Sequence, residues 1–378
     1  MAKIICCFLF LLSSVEASVW EGKNSWDESW EREYAEWLET EVTPEFFTTG
    51  RWRGVKTDCA DAVYFFKAIF SYLNEIEFVV NHPNRRGRVI SSNMNNFDRY
   101  SNDNDRRTRK FLNYIGGVLS TRSLKNDTYS PELNPNVIFG GGAYLIKGHV
   151  YQIASIDDIG IPYLLSSTVP RKVRTLKTSW EIPYISRKLL MAPYGGFRNW
   201  RFKEDLKKSN ARLKDEGKFS MEQYTLFNQL NGDEFQYSLI LQDKLSNGSR
   251  ESSEEKIKRL ITNIITDVKE RAVVVLDGYR YFRRVGRRLN SSEYDQYSTP
   301  SRDKRLHKKL DYLYNYCYFA TERGLMDDRS CVSLLRGVSI PVYGDVSVNL
   351  KDLMDALDPV SGNASSNPHH TLRSRWGL

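Results

Sequence analysis

Cys59 and His149 are the residues whose type and setting could carry chemistry. Cys59 follows Asp58, a good helix N-cap, and precedes the apolar run Ala62-Val63-Tyr64-Phe65-Phe66-Lys67-Ala68-Ile69-Phe70, which reads as a buried helix with Asp61 in its first turn. The thiol then sits where unpaired amides and the positive end of the helix dipole favour thiolate, a setting that lowers a cysteine pKa from about 8.5 to between roughly 3.5 and 7.5. Asp58 and Asp61 oppose that shift, so a cationic partner is needed, and histidine is the usual one. His149 opens the alternating run Gly148 to Ile156, a strand, followed by a turn over Asp157 to Gly160 and a return strand over Ile161 to Thr168. A two-residue hairpin centred on Asp158 and Ile159 sets His149 opposite Thr168, with Ser166 on the same face. Thr168 or Ser166 could then orient the imidazole, and Asp157 or Asp158 takes that role if the strands bend.

The remaining histidines compete poorly: His82 precedes a proline in a basic loop, His307 lies on a lysine-rich helix face, and His369-His370 fall near the C-terminus. All three sites read as solvated. No metal site is expected, because no ligand pair has helix or knuckle spacing, and no cofactor is expected either. Gly140-Gly141-Gly142 lacks the Lys-Ser/Thr and helix of a phosphate loop and reads as a turn between strands.

The start of the chain has a signal-peptide pattern: Lys3, then an apolar run from Ile4 to Leu12, then Val15-Glu16-Ala17, with cleavage expected after Ala17. The run is shorter than the roughly 20 residues a membrane span requires. An exported protein, periplasmic or extracellular and without a stable membrane anchor, is therefore expected. Of the five cysteines, Cys59, Cys317 and Cys331 lie beyond that segment. An odd number in an oxidising compartment suggests one bridge and one free thiol. Cys317 and Cys331, in a helix and the loop after it, are the natural pair, leaving Cys59 single; three buried, reduced thiols is the alternative.

The elements that must hold this pair are set by length and pattern. The chain has 378 residues, 40% of them hydrophobic and 13% aromatic, more than one ordinary core needs. Residues 18–50 hold an amphipathic helix with an aromatic face, Trp26, Trp30, Tyr34 and Trp37, with Ser25 and Glu28 as its capping box. Such a face could stack on sugar rings, but docking on the neighbouring domain is the simpler reading. Residues 51–198 mix a helix with strands, residues 199–357 are mainly helical (Phe202 to Gly217, Met221 to Leu230, Glu254 to Glu270, Asp303 to Arg323), and 358–378 read as a flexible tail. Ser298-Thr299-Pro300 reads as the start of the last of those helices. The net charge of +8 carries no arginine-rich arm and no nucleic-acid-binding module, so nucleic acid is not an expected partner.

Asp58-Cys59 opening a buried helix, followed about ninety residues later by the strand start Gly148-His149-Val150, resembles the NlpC-type bacterial cell-wall cysteine peptidases, relatives of papain. The resemblance covers roughly Arg51 to Thr168. It implies an α+β fold with a papain-like core, the cysteine helix packed on a small antiparallel sheet, followed here by a mainly helical C-terminal domain. It also implies that Cys59 is the nucleophile and His149 the base, with a third polar residue, Thr168 in the register above, in hydrolysis of an amide bond in peptidoglycan stem peptides. The partner would be a cell-wall peptide or protein substrate. Trp52, Arg53 and Tyr144 are placed to line the cleft, Trp52 and Tyr144 as substrate-binding residues. The family usually has a small residue and glycine after the cysteine, where this chain has Ala60-Asp61. An acyltransferase using the same pair, or a non-catalytic envelope-binding protein with Cys59 merely buried, are the alternative readings.

Overall fold

A computed structural model describes residues 18–100, 103–146, 148–183, 195–297, 300–343, 346–358, 365, 367 and 369–376. The segment expected to be a signal peptide, with Cys6 and Cys7, lies outside the described residues, as do Ser298 and Thr299.

The first core is organised by two helices. In α1 (Glu28–Thr40) the N-cap is Asp27, whose carboxylate accepts from the amides of Ser29 and Trp30; Ser25, expected in that role, lies two residues too early. Its aromatic face docks inward: Tyr34 and Trp37 pack on Phe70 of α2 (Cys59–Leu73), and Trp26 donates its indole N–H to Ser71 at 3.2 Å. Helix α2 begins as its sequence requires. The Asp58 carboxylate accepts from the amides of Ala60 and Asp61 while Asp61 accepts from the amide of Asp58, each at 3.0 Å. Every residue from Cys59 to Ser71 is buried, so Lys67 needs a counter-ion, and Glu31 of α1 supplies it at 2.8 Å. A small hairpin of β1 (Val79–Asn81) and β2 (Val89–Ser91), and α3 (Asn104–Val118), close this core.

The central element is a six-stranded antiparallel sheet of β3 (Thr128–Tyr129), β4 (Ala143–Ile146), β5 (His149–Ile156), β6 (Pro162–Ser166), β7 (Lys177–Trp180) and β8 (Gly196–Trp200), in the order β3-β8-β4-β5-β6-β7. Helices α1 and α2 cover one face of it. The other face receives α4 (Glu222–Gln229) and α5 (Glu234–Leu245) in a separate apolar cluster. The fold is therefore α+β, with the cysteine helix on an antiparallel sheet. The boundary expected at 198 falls inside β8, because Gly196 to Trp200 pair with β4 and β3 and the chain stays on the sheet to Leu245. The helix expected from Phe202 to Gly217 is broken, since Ser209 caps a new start at Asn210 by accepting from the amide of Arg212.

The third core is helical. In α6 (Ser253–Val285) a Ser252–Glu255 capping box starts a helix that runs on through Ala272 to Leu276 and ends at Gly286, whose φ of +63° suits glycine. It packs on α7 (Pro300–Glu322), with α8 (Asp328–Arg336), a hairpin of β9 (Ser339–Tyr343) and β10 (Val346–Asn349), α9 (Leu350–Leu357) and α10 (Leu372–Trp376) around them. Cys317 of α7 and Cys331 of α8 form a disulfide, their Cα atoms 5.8 Å apart; Cys331 lies in a helix, not a loop. Such a bond suits an oxidising compartment. The stretch expected to be a flexible tail contains α10, whose Trp376 is fully buried and whose Arg375 pairs with Asp303 at 3.1 Å. Among the described residues, no helix is long and apolar enough to cross a membrane.

Candidate functional site

Cys59 is the first residue of α2 and the free cysteine among the described residues; it is 6% exposed. The backbone amides of Val150 and Ala60 point at its sulfur and favour thiolate, but burial, and after it the Asp58 carboxylate, dominate and push the thiol up to about 11. At neutral pH it is protonated. Arg174 is a cation whose charge reaches this sulfur and the Asp58 carboxylate. Asp61 bonds Arg171 at 2.8 Å, yet burial and then Asp58 raise it to about 7.

His149 lies on the other side of the sheet. Side chains alternate along strands, and the packing tracks that alternation: Ala143 and Leu145 of β4 and Val150 and Ala154 of β5 join the core around Cys59, whereas Tyr144, Ile146, Tyr151 and Ile153 join the cluster under α4 and α5. His149 pairs across the ladder with Ile146, stands edge-on to Tyr151 with ring centroids 4.6 Å apart, and lines a cavity between the sheet and α6 and α7. The structure therefore does not bring the thiol and the imidazole together. Burial lowers the imidazole well below its ordinary value, and the charges of Arg305, Lys177 and Arg302 lower it further, so it is neutral at neutral pH.

Thr168 and Ser166 do come together with His149, since all three line that cavity. Pairing of Gln152 with Leu165 and Ile153 with Leu164, continued along β5, sets His149 level with Thr168. Asp157 is used elsewhere, its carboxylate accepting from the amide of Ile161 at 2.7 Å. Trp52 is buried in the first core, edge-on to Tyr72, and Arg53 gives its carbonyl to Arg109 at 3.0 Å.

Tyr144 faces a second cavity of about 200 Å³, also walled by Glu181, Glu234, Phe235, Tyr237, Arg259, Lys309 and Tyr312. Glu181 and Lys309 wall both cavities, so the two form one cleft between the sheet and helices α5 to α7. Lys309 bonds Glu181 at 2.7 Å and also Asp267, and these two carboxylates hold it charged against burial. Burial, with the neighbouring Asp233, pushes Glu234 up to about 7, so it is a carboxyl able to hold or release a proton near neutrality. The hydroxyls of Tyr144 and Tyr237 have no hydrogen-bond partner among the described residues, although the side chains are 0% and 2% exposed. A cleft with an apolar wall and a few convergent polar groups is the usual form of a small-ligand site.

Sequence reasoning missed most of these residues. One signal was present: Arg302, Arg305 and Lys309 recur at i, i+3 and i+7, one face of α7, and all three wall the His149 cavity. His307, expected to be solvated, is 9% exposed and bonds Asp311 at 3.1 Å, and His369 stacks on Phe282. Among the described residues, no three His, Cys, Asp or Glu side chains gather as a metal site. No protein-family model, curated protein or solved structure matches this chain.

Proposed function

We propose that this chain is an exported, non-catalytic binding protein that holds its ligand in the cleft between the second face of the sheet and helices α5 to α7. The observation that carries this reading is the pair of buried, unpartnered hydroxyls of Tyr144 and Tyr237 at a cavity of about 200 Å³. A buried polar group without a partner costs roughly 1–3 kcal/mol, and a ligand that accepts or donates there recovers that cost. Cys59 is, in this reading, a structural thiol in a papain-like arrangement of helix and sheet, and the ligand is an envelope component such as a cell-wall peptide.

The test uses purified cell-wall sacculi and the full chain. Wild type and Cys59→Ala should co-sediment with sacculi equally, Tyr237→Phe should do so less, and neither should release soluble peptides. Equal binding by Tyr237→Phe removes the cleft from the reading.

A second reading, amide hydrolysis or acyl transfer from Cys59, is favoured by one observation: the sulfur sits in the first turn of α2 with amides directed at it and the Arg174 charge within reach. Alkylation separates the two. A binding protein leaves Cys59 unmodified by iodoacetamide at neutral pH until unfolded, whereas a catalytic thiol reacts in the native state, and peptides released by wild type but not by Cys59→Ala establish hydrolysis.

A further inference from the structure

Past His149 the cleft continues into an open chamber of about 490 Å³, which shares Thr168, Val274 and Arg302 with the His149 cavity and adds Lys172, Arg174 and Arg284. The charges here do not balance. Arg271 is held by Asp303 at 2.7 Å, Lys177 by Glu270, Lys309 by Glu181 and Asp267, and Arg280 lies 3.6 Å from Asp277. Among the described residues, no carboxylate lies within ion-pair distance of Arg302, Arg305, Arg174 or Lys172, although the charges of Asp303, Asp58 and Asp277 act on Arg302, Arg174 and Lys172. Arg302 gives its hydrogen bonds to the carbonyls of Gln296 and Val169, and the buried Nε of Arg174 has no partner.

These cations come from two separate elements, the segment after β6 and α7, so the fold itself brings them together. They also oppose one another. Burial and then the charges of Arg271, Arg174 and Arg305 bring Arg302 down to about 10, and Lys172 is lowered by burial and then by Arg174 and Arg302. Like charges gathered in a concave site raise the local potential for an anion. Guanidinium forks match the oxygens of a tetrahedral oxyanion two at a time, which ammonium groups do not. His149, neutral, adds a hydrogen-bonding group without further charge, and Ser166 and Thr168 add hydroxyls.

We propose that Arg174, Arg302 and Arg305, with His149 at the inner end, form a binding site for a phosphate or sulfate group. The proposal rests on reading this cleft as a ligand site and names the charged part of the ligand, whose uncharged part would extend toward Tyr144 and Tyr237. A free oxyanion and the same group on an organic body share this chemistry.

The experiment is calorimetric titration of the full-length protein with inorganic phosphate and with phenyl phosphate at fixed ionic strength, since salt screens exposed charges. Both probes should bind saturably, and Arg305→Met should weaken binding by about tenfold or more. Arg305 makes no hydrogen bond among the described residues, so its loss should leave the fold intact, which a thermal melt checks. Arg250→Met, at an exposed residue that lines neither the His149 cavity nor the chamber beyond it, should leave binding unchanged. Tighter binding of phenyl phosphate assigns the group to an organic ligand, and equal binding to free oxyanion. Absence of saturable binding, or binding that Arg305→Met and Arg250→Met affect alike, overturns the proposal. Retention of the Tyr237→Phe effect on sacculi in that case would leave the cleft standing as a binding site and remove only its anion specificity.

Discussion

Tyr144 and Tyr64 allow the same atom to be deleted from two side chains that are both 0% exposed, with opposite consequences expected. Tyr64 donates its hydroxyl to Asp127 at 2.7 Å and lies 3.2 Å from the Ser123 hydroxyl. Asp127 also accepts from the amide of Asn81 at 2.7 Å, and burial raises it to about 6, so above that pH it is a charged carboxylate inside the protein. Tyr64→Phe removes one of its donors, and a hydrogen bond to a charged group contributes about 1.5–3 kcal/mol. Tyr144 faces the cleft and has no partner among the described residues. Tyr144→Phe should therefore leave stability unchanged or raise it by up to about 1 kcal/mol, because an apolar edge replaces a poorly satisfied hydroxyl. Urea unfolding of ligand-free protein at mildly alkaline pH, read as midpoints at unchanged slope, measures both. Loss of more than about 1 kcal/mol in Tyr144→Phe would refute the assignment, since it would show that the hydroxyl already has a partner that stabilises the fold.

Three further outcomes are expected. His149 is lowered in the folded protein, so below its ordinary value of 6.5 the unfolded chain binds a proton that the folded chain does not. Stability should then fall as the pH drops below 6.5, and His149→Gln should flatten that dependence in melts taken across the range. Reduction of Cys317–Cys331, whose residues are separated by 14 positions, should destabilise the helical third core by about 3 kcal/mol. Protease susceptibility should then rise between Ser253 and Trp376 before it rises in the sheet. Trp376→Ala, at a fully buried position of α10, should cost about 3–5 kcal/mol by denaturant titration, whereas a loose tail would give no change.

Local features were legible in the sequence wherever neighbouring residues decide the structure. Asp58 and Asp61 set the start of α2, the alternation from His149 to Ile156 gave the strand, and the odd cysteine count with the short spacing of Cys317 and Cys331 gave the bridge. The face on which His149 points was not legible. Strand β5 is covered by helices on both sides, and seven of its eight residues are buried, so the alternation that marks it as a strand does not say which set of side chains meets α2. Nothing local tells odd positions from even ones there. The helix expected from Met221 to Leu230 is α4, but α5 was not expected, and only the tertiary fold shows that Tyr224, Phe227, Tyr237 and Leu241 of the two lie on the sheet. In the tail, Leu372 and Trp376 are too few to give a period, though together they seal the third core.

Which side of β5 faces Cys59 also decides what chemistry could be built there. The residues of β5 directed toward α1 and α2 are Val150, Gln152 and Ala154. Gln152 alone among them is polar, and both ends of its amide are used: Nε2 donates to the carbonyls of Gly141 at 3.1 Å and Gly142 at 2.8 Å, while Oε1 accepts from the Tyr34 hydroxyl at 3.3 Å. A base that takes a proton from sulfur needs a free lone pair at hydrogen-bond distance, and none of these three side chains offers one to Cys59. The same parity that turns His149 away from Cys59 places it with Ser166, Thr168, Arg302 and Arg305 on the opposite face. That face is closed by helices contributed from the third core, so an imidazole turned away from the thiol lines a cleft assembled from two cores of the protein. A one-residue change of register at the start of β5 would exchange the two faces, and the regular pairing of Ile146 with His149 and Leu145 with Val150 holds the strand in the register that sets His149 in the cleft.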